Sequence, residues 1–243
     1  MTDIRYGLSS DAWQNVVPRL EAIIERYPIR RVIEVGGGAN PTFSREFIER
    51  HGLEYTLLDI SQDELDKAPE GYEKVCADIC ARDFSAVGGY DFAFSRMLAE
   101  HVTDGEQFHR NVHALLRPGG VAFHFFPTLY APPFVINRLL PEKLAAMLLH
   151  MLQPGREQSG KLGKFPGRYQ WCRGPLRSQI ARFERLGFAV QRYEGFFGHE
   201  PYYRKIPLLH RAHLCLARWL CRHPIAWLTS FAQVTLVKRE GNG

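Results

Sequence analysis

Three consecutive glycines, Gly36, Gly37 and Gly38, end the short apolar run RRVIEV at residues 30–35. Glycine lacks a Cβ, so such a loop adopts backbone angles closed to other residues and lets a ligand lie against the main chain. A cofactor loop at the end of a buried strand is the expectation. Its spacing restricts the cofactor. The dinucleotide fingerprint needs a further glycine three residues after Gly38, where Pro41 stands, and no Lys-Ser/Thr pair follows as a phosphate-binding loop requires. Two acids extend the pattern. Asp59 closes the run YTLLDI, 21 residues after Gly38, where a carboxylate can accept hydrogen bonds from a ribose diol. Asp78 follows the run EKVCADI beside Ile79, an acceptor next to an apolar wall, which suits the edge and face of an adenine. A strand-end Asp alone is more often a turn or helix cap. In combination with the glycines, the two acids point to a nucleoside-bearing ligand.

Proton transfer would need a base, and ten histidines are available. His101 in AEHV follows the fourth apolar run, and His199 lies in FFGHEPYY; these two are the candidates. His124 sits inside the fifth apolar run, where a packed sheet histidine is expected. Tyr130, Tyr169, Trp171, Tyr202 and Tyr203 can form a substrate wall, although aromatic core is the commoner use.

The elements that must position these residues alternate. DAWQNVVPRLEAIIER at 11–26 places Trp13, Val16, Val17, Leu20, Ile23 and Ile24 at helical spacing, with Pro18 kinking the helix or marking its start. Strands are predicted at 30–35, 55–60, 73–79, 90–95 and 121–126, with a helix opened by Pro41 and Thr42. EQFHRNVHALLR predicts a helix stopped by Pro118-Gly119-Gly120. Strands alternating with helices imply crossover units and a doubly wound α/β sheet, mostly parallel. Regularity breaks over 128–174, which carries the apolar helix candidate VINRLLPEKLAAMLLHML and the basic stretch GREQSGKLGKFPGR. It resumes with a helix at 175–185 and a strand at 188–195, breaks again over 198–228, and closes with a strand at 232–238. The two interruptions fit helical, substrate-capping insertions on one domain, 1–243, whose cofactor-binding half is 27–127.

The motifs in this order resemble the class I S-adenosylmethionine-dependent methyltransferases, in particular the type 11 group. VIEVGGGANP resembles the first motif of that family, YTLLDIS the second, VCADIC the third and YDFAFSRMLAEHVTD the fourth, with LLRPGGVAFHFF as the following strand. The resemblance covers residues 29–127 and implies a Rossmann-like sheet of seven strands with an antiparallel last strand. It also implies roles: Glu34 near the methionine amino group, Gly36, Gly37 and Gly38 against the methionine moiety, Asp59 and Ile60 at the ribose, Asp78 and Ile79 at the adenine. Ser95, Arg96 and Met97 would line the floor near the sulfonium. The ubiquinone-pathway O-methyltransferases place a further Glu three residues before the one at Glu100 and are thought to hold a metal there; Met97 occupies that place, so no metal is expected. The resulting expectation is an O-methyltransferase of a small molecule or glycan. N- or C-methylation, or a non-catalytic S-adenosylmethionine-binding protein, are the alternatives.

Composition sets the outer limits. The chain has 243 residues, 45% hydrophobic and 23% charged, with a formal charge of +5, which is globular and only mildly basic. No basic arm or zinc-finger spacing favours nucleic acid. The five cysteines match neither a disulfide framework nor a zinc knuckle, and the start MTDIRYGLSSDAWQ has no basic-apolar leader, so a cytoplasmic protein with reduced thiols is expected. IPLLHRAHLCLARWLCRH at 206–223 predicts a helix with Arg211, Arg218 and Arg222 near one face and Leu208, Leu209, Leu216, Trp219 and Leu220 largely on others. Such a helix can touch an anionic membrane peripherally, or cap the sheet with solvated arginines outside.

Overall fold

The computed structural model describes residues 2–85, 87–129, 167–203 and 207–240. In chain order these form β1 (Asp3–Leu8), α1 (Ser9–Arg26), β2 (Arg31–Val35), α2 (Arg45–His51), β3 (Glu54–Asp59), α3 (Gln62–Lys67), β4 (Glu73–Cys76), β5 (Tyr90–Arg96), α4 (Gly105–Leu115), β6 (Leu116–Pro127), α5 (Arg177–Arg185), β7 (Phe188–Phe197), α6 (Glu200–Tyr203), α7 (Pro207–Arg222) and β8 (Phe231–Lys238). The candidate helix VINRLLPEKLAAMLLHML and Tyr130 lie outside the described residues.

One sheet runs in the order β1-β7-β8-β6-β5-β2-β3-β4. Only β8 is antiparallel to its neighbours; every other pairing is parallel. A parallel sheet is covered on both faces, which is why residues 32–35 of β2, 90–95 of β5 and 120–127 of β6 are buried without alternation. One face packs Ile33, Val35 and Ala93 against Phe108, Val112 and Leu115 of α4 and Phe183 of α5. The other packs Val32, Phe92 and Phe94 against Val16, Leu20 and Ile23 of α1, Ile48 of α2 and Leu65 of α3. Chain order reverses where β2 meets β3 on one side and β5 on the other. In open α/β sheets ligands bind outside the carboxyl ends of the strands at such a reversal. Gly36 begins there.

Several boundaries differ from the sequence reading, among them the strand predicted at 73–79, which ends at Cys76. The sheet has eight strands, not seven, because DIRYGL adds an edge strand parallel to β7. It is held by Arg192 Nε on Asp3 Oδ2 at 2.9 Å, an ion pair across the edge. The helix after the glycines starts at Arg45, since Ser44 Oγ accepts from Phe47 N–H at 3.3 Å and caps it there; Pro41 and Thr42 stay in the loop. Helix α4 ends at Leu115, and Leu116 already pairs with Tyr90 in the sheet, so Pro118-Gly119-Gly120 lies inside β6. Pro18 sits inside α1 rather than at its start. The second interruption is helical as expected: α6, α7 and a short 3-10 turn at Ala226–Leu228.

Candidate functional site

The glycine loop leaves β2 with its position fixed by Gly36 N–H donating to Leu58 O at 2.7 Å. Gly36 and Gly38 take left-handed angles, φ 79° and 44°. Space demands glycine as well. A Cβ would stand 2.9 Å from Leu98 Cδ1 at Gly36 and 2.8 Å from Leu57 Cδ2 at Gly37. At Gly38 it would stand 3.1 Å from Asp59 Oδ2, so this carboxylate oxygen is turned toward the loop. The other, Oδ1, accepts from Ser61 N–H at 3.0 Å, which fixes the rotamer. Ile60, next in the chain, is an apolar side chain 62% exposed.

Asp59 O accepts from Ala77 N–H at 2.9 Å, tying the end of β3 to the loop after β4. There Asp78, exposed, has Oδ1 on Cys80 N–H at 2.8 Å and lines a cavity of about 320 Å³ with Val75, Ala77, Ala81 and Phe84. Asp83 and Ser85 also line it, so its walls are of mixed polarity. Ile79 is buried in the core and its main chain is occupied by Asn111 Nδ2, so it does not face the cavity.

Glu34 is a brace. Its buried carboxylate accepts from Thr42 N–H at 2.9 Å, from the Thr42 hydroxyl and from the Tyr55 hydroxyl, with Arg96 Nη2 4.0 Å away. Burial and the Glu34 charge hold the Tyr55 phenol well above its ordinary pKa, so it stays a donor. The two bonds from Thr42 close residues 36–42 into an arch over the end of β2, and the third ties the same carboxylate to Tyr55 of β3. Thr42 and Tyr55 carry no spacing signal that would single them out in the sequence.

At the end of β5 the expected floor is partly corrected. Ser95 is fully buried, opposite His124 in the sheet register, and its Oγ bonds His124 Nδ1 at 2.8 Å. Strand alternation sends Ser95 toward α4 and leaves Arg96 on the face of Glu34. Ser95 therefore does not line the floor. Arg96 Nε is buried with no hydrogen-bond partner among the described residues. Met97 takes a left-handed φ of 53° and donates its N–H to Phe125 O at 2.8 Å; the turn brings Leu98 against Gly36.

Beyond Leu98 lies a buried acid. Glu100 is 3% exposed, its Oε2 has no hydrogen-bond partner among the described residues, and its Oε1 is 3.6 Å from His101 Nε2. Burial pushes the Glu100 carboxyl up to about 8. Glu100 O accepts from Arg168 N–H at 2.7 Å and Tyr169 N–H at 2.9 Å. Tyr169 and Trp171 in that segment have φ of 50° and 60°, unusual for bulky residues. Gln170 locks it further, donating to Thr103 O at 2.7 Å and accepting from Gly105 N–H at 3.1 Å.

The two candidate bases are set differently. His101 is half-buried and its backbone N–H donates at 2.8 Å to the carbonyl of Leu98, the residue whose side chain meets Gly36. His199, after β7, stacks on Phe231 with ring centroids 4.9 Å apart, and its N–H donates to His213 Nε2 at 2.7 Å. Burial pushes its imidazole down to about 4. Four strand spacings separate β7 from β2 in the sheet order, roughly 19 Å. The structure does not bring His199 to the glycine loop. Among the described residues, no three His, Cys, Asp or Glu side chains are gathered as metal ligands would be.

A family model described as a methyltransferase domain matches residues 10–191. The chain belongs to that family. The methyltransferase shares its fold with solved structures at low identity. An S-adenosylmethionine-dependent methyltransferase from Mesorhizobium loti is 21% identical, with 90% of this chain and 96% of that one covered and a TM-score of 0.50. Phosphoethanolamine N-methyltransferase 2 of Haemonchus contortus, in complex with S-adenosyl-L-methionine, is 16% identical over 92% of this chain, with a TM-score of 0.54. The alignment spans 53% of that longer protein. The YcgJ protein of Bacillus subtilis is 16% identical, with 91% and 98% covered and a TM-score of 0.52. No curated protein matches the methyltransferase by sequence.

Proposed function

We propose that the protein uses S-adenosylmethionine to methylate a hydroxyl of a small molecule or glycan. The observation that carries this reading is the cradle: three closely packed glycines, two of them at left-handed φ, with Asp59 Oδ2 turned to Gly38 and Asp78 on a hollow of mixed polarity walled in part by Val75, Ala77 and Phe84. A Cβ on any of the three glycines would press on Leu98, Leu57 or Asp59 and shift the main chain against which the methionine moiety lies. Asp59 holds the ribose diol and Asp78 the adenine amine. Glu34 acts one step away, fixing the arch through Thr42 and Tyr55. When bound, S-adenosylmethionine supplies an activated methyl group, so the chain's own task is to place a nucleophile about 3 Å from it and keep water out. His101 takes up the acceptor's hydroxyl proton on its imidazole, with Glu100 at its back.

Isothermal titration with S-adenosylmethionine, its demethylated product and NAD tests the cradle. Binding of the first two and not of NAD is expected; tight NAD binding, or none of the three, rejects it. A radiolabelled methyl-transfer screen over sugars, nucleotide sugars and phenols then seeks the acceptor. On an accepted hydroxyl substrate, His101→Ala is expected to lower kcat about 100-fold or more with cofactor affinity unchanged. Full turnover of that variant would remove His101 from the chemistry, and turnover on amines alone would replace the hydroxyl reading.

A further inference from the structure

Helix α7 leaves Leu208, Leu209, Leu216 and Trp219 exposed and buries only Ala217 and Leu220. Ala217 and Leu220 pack on Phe197, with Tyr6, Leu8 and Cys221 around them, and no other side chain of the helix is buried. On the opposite side Leu208 is 81% exposed, Leu216 53% and Trp219 49%. At 3.6 residues per turn, Leu208, Leu209, Ala212, Leu216 and Trp219 fall within one arc of about 100°. Arg211, Arg218 and Arg222 fall together along one edge of that arc, all exposed. None of the three is in an ion pair among the described residues. From Pro201 to Arg239 the sequence has no Asp or Glu and seven Arg and Lys. Just past the helix, Ile225 and Leu228 are also exposed. Among the described residues, no helix is long and apolar enough to cross a membrane.

An apolar arc bordered by arginines, in an acid-free stretch, matches an interface with acyl chains below and anionic headgroups above. Tryptophan at the junction of the two is the residue that such interfaces favour. Two other coverings fit the charges less well. A second copy would bring its own arginine row toward this one. The chain's residues 130–166 carry five Arg and Lys against two Glu, so they offer the arginines no countercharge. We infer that α7 docks the protein on an anionic lipid surface. The location has a consequence for the acceptor side. The N–H of His199, at the carboxyl end of β7, donates to His213 of α7, so the docked helix lies on the same sheet edge as the glycine loop. An acceptor held in or on the bilayer would meet that edge without leaving the membrane.

The inference does not depend on methyl transfer, and its test needs no acceptor. The full chain is sedimented with sucrose-loaded vesicles of phosphatidylcholine alone, or with one-third phosphatidylglycerol, at low and high salt. Binding is expected to the anionic vesicles at low salt, to weaken strongly at high salt, and to be absent on neutral vesicles. The triple variant R211Q/R218Q/R222Q and the double variant L208Q/W219Q are each expected to lower vesicle partitioning at least about tenfold. Their thermal melts and S-adenosylmethionine titrations, unchanged from the parent, show that the fold is intact. The inference is overturned if the parent protein stays in the supernatant with anionic vesicles at low salt, or if both variants bind as the parent does. It is equally overturned if sedimentation velocity shows a dimer that L208Q/W219Q dissolves while vesicles bind nothing, or if L208Q/W219Q unfolds without any parent vesicle binding, which would mean the chain covers the arc itself.

Discussion

Replacing Glu100 by glutamine should make the protein more stable, and more so as the pH rises. The native carboxyl, with Oε2 buried and unpartnered, titrates at about 8 against an ordinary 4.5. A carboxyl raised in this way holds a proton in the folded state that the unfolded chain releases above pH 4.5. Folding therefore loses about 1.4 kcal/mol for each pH unit between 4.5 and 8, and nothing below 4.5. At pH 7 that is on the order of 3 kcal/mol of destabilisation carried by one side chain. Glutamine has nearly the same shape and no charge to lose. It does bury an amide whose donors need partners, which returns about 1–2 kcal/mol of the gain. The net expectation at pH 7 is about 1–2 kcal/mol, a rise in Tm of roughly 2–8 °C for a domain of this size. The decisive quantity is the pH dependence, because the amide cost cancels in it. Urea denaturation of parent and Glu100→Gln at pH 5 and pH 8 should give a stability difference that widens in favour of the variant by about 4 kcal/mol. Parallel profiles, agreeing within about 0.5 kcal/mol at both pH values, would refute a raised Glu100 and with it the reasoning from burial. Because a protein that keeps so costly an acid does so for its use, the variant should also lose turnover on its true substrate while gaining stability.

The remaining expectations concern the cradle and the acid limit. Asp59→Asn, measured by titration calorimetry, should weaken S-adenosylmethionine about 10- to 100-fold, since a charged hydrogen-bond acceptor is lost, while the thermal melt moves little; unchanged affinity would remove Asp59 from the site. Gly36→Ala should cost about 1–3 kcal/mol in urea denaturation and abolish cofactor binding, because a φ of 79° and a Leu98 contact at 2.9 Å both oppose a Cβ; an unaffected variant would mean that the loop is not fixed as described. On the acid side, His124 is pushed down to about 3 and His199 to about 4 by burial, and His109 well below its usual range. Each stays neutral when folded and takes a proton when unfolded below about pH 6.5, so stability should fall from pH 6.5 toward 4 by up to about 1.4 kcal/mol per unit per histidine. His124→Gln should lower that slope by about one proton, and an unaltered slope would show that His124 protonates in the folded protein.

How far the sequence carried these conclusions depended on how many constraints met at a residue. Gly36 and Gly38 could be read because glycine was answering to backbone angle, and Asp59 because a strand end followed at a telling distance. Strands β2, β5 and β6 announced themselves as short, mainly apolar runs without a period of two. That same lack of alternation concealed which face each residue takes, and Ser95 was misplaced for this reason: in YDFAFSR every position but the last is buried, so nothing in the run separates Ser95, which meets His124, from Arg96, which meets Glu34. Strand β1 escaped for the opposite reason. An edge strand with Ile4 and Arg5 exposed has neither an apolar run nor a clean period of two. Ile79 had the right chemistry for an adenine wall but was spent on the core, a choice made by packing with residues far away in the chain.

The least readable part of the site is also where the protein tolerates most strain. Met97, Tyr169 and Trp171 are the three non-glycine residues with left-handed φ among the described residues, and they bracket Glu100. Each such conformation costs on the order of 1–2 kcal/mol. Added to a buried carboxyl with an unsatisfied oxygen, they gather several unfavourable terms around one short stretch after β5. Neighbouring hydrogen bonds hold that stretch in place: Arg168 and Tyr169 N–H on Glu100 O, Gln170 on Thr103, Leu98 O on His101 N–H. A segment under no functional demand would relax by a single substitution, such as a glutamine at Glu100, that relieves the buried acid without emptying the core around Tyr169. The concentration of strain beside His101 and Leu98, and not over the sheet, supports the proposal that the acceptor is handled at the end of β5. If so, the stabilising changes made there should be the ones that cost turnover, and equally large stabilisations made elsewhere, on the far face of α1 for example, should not.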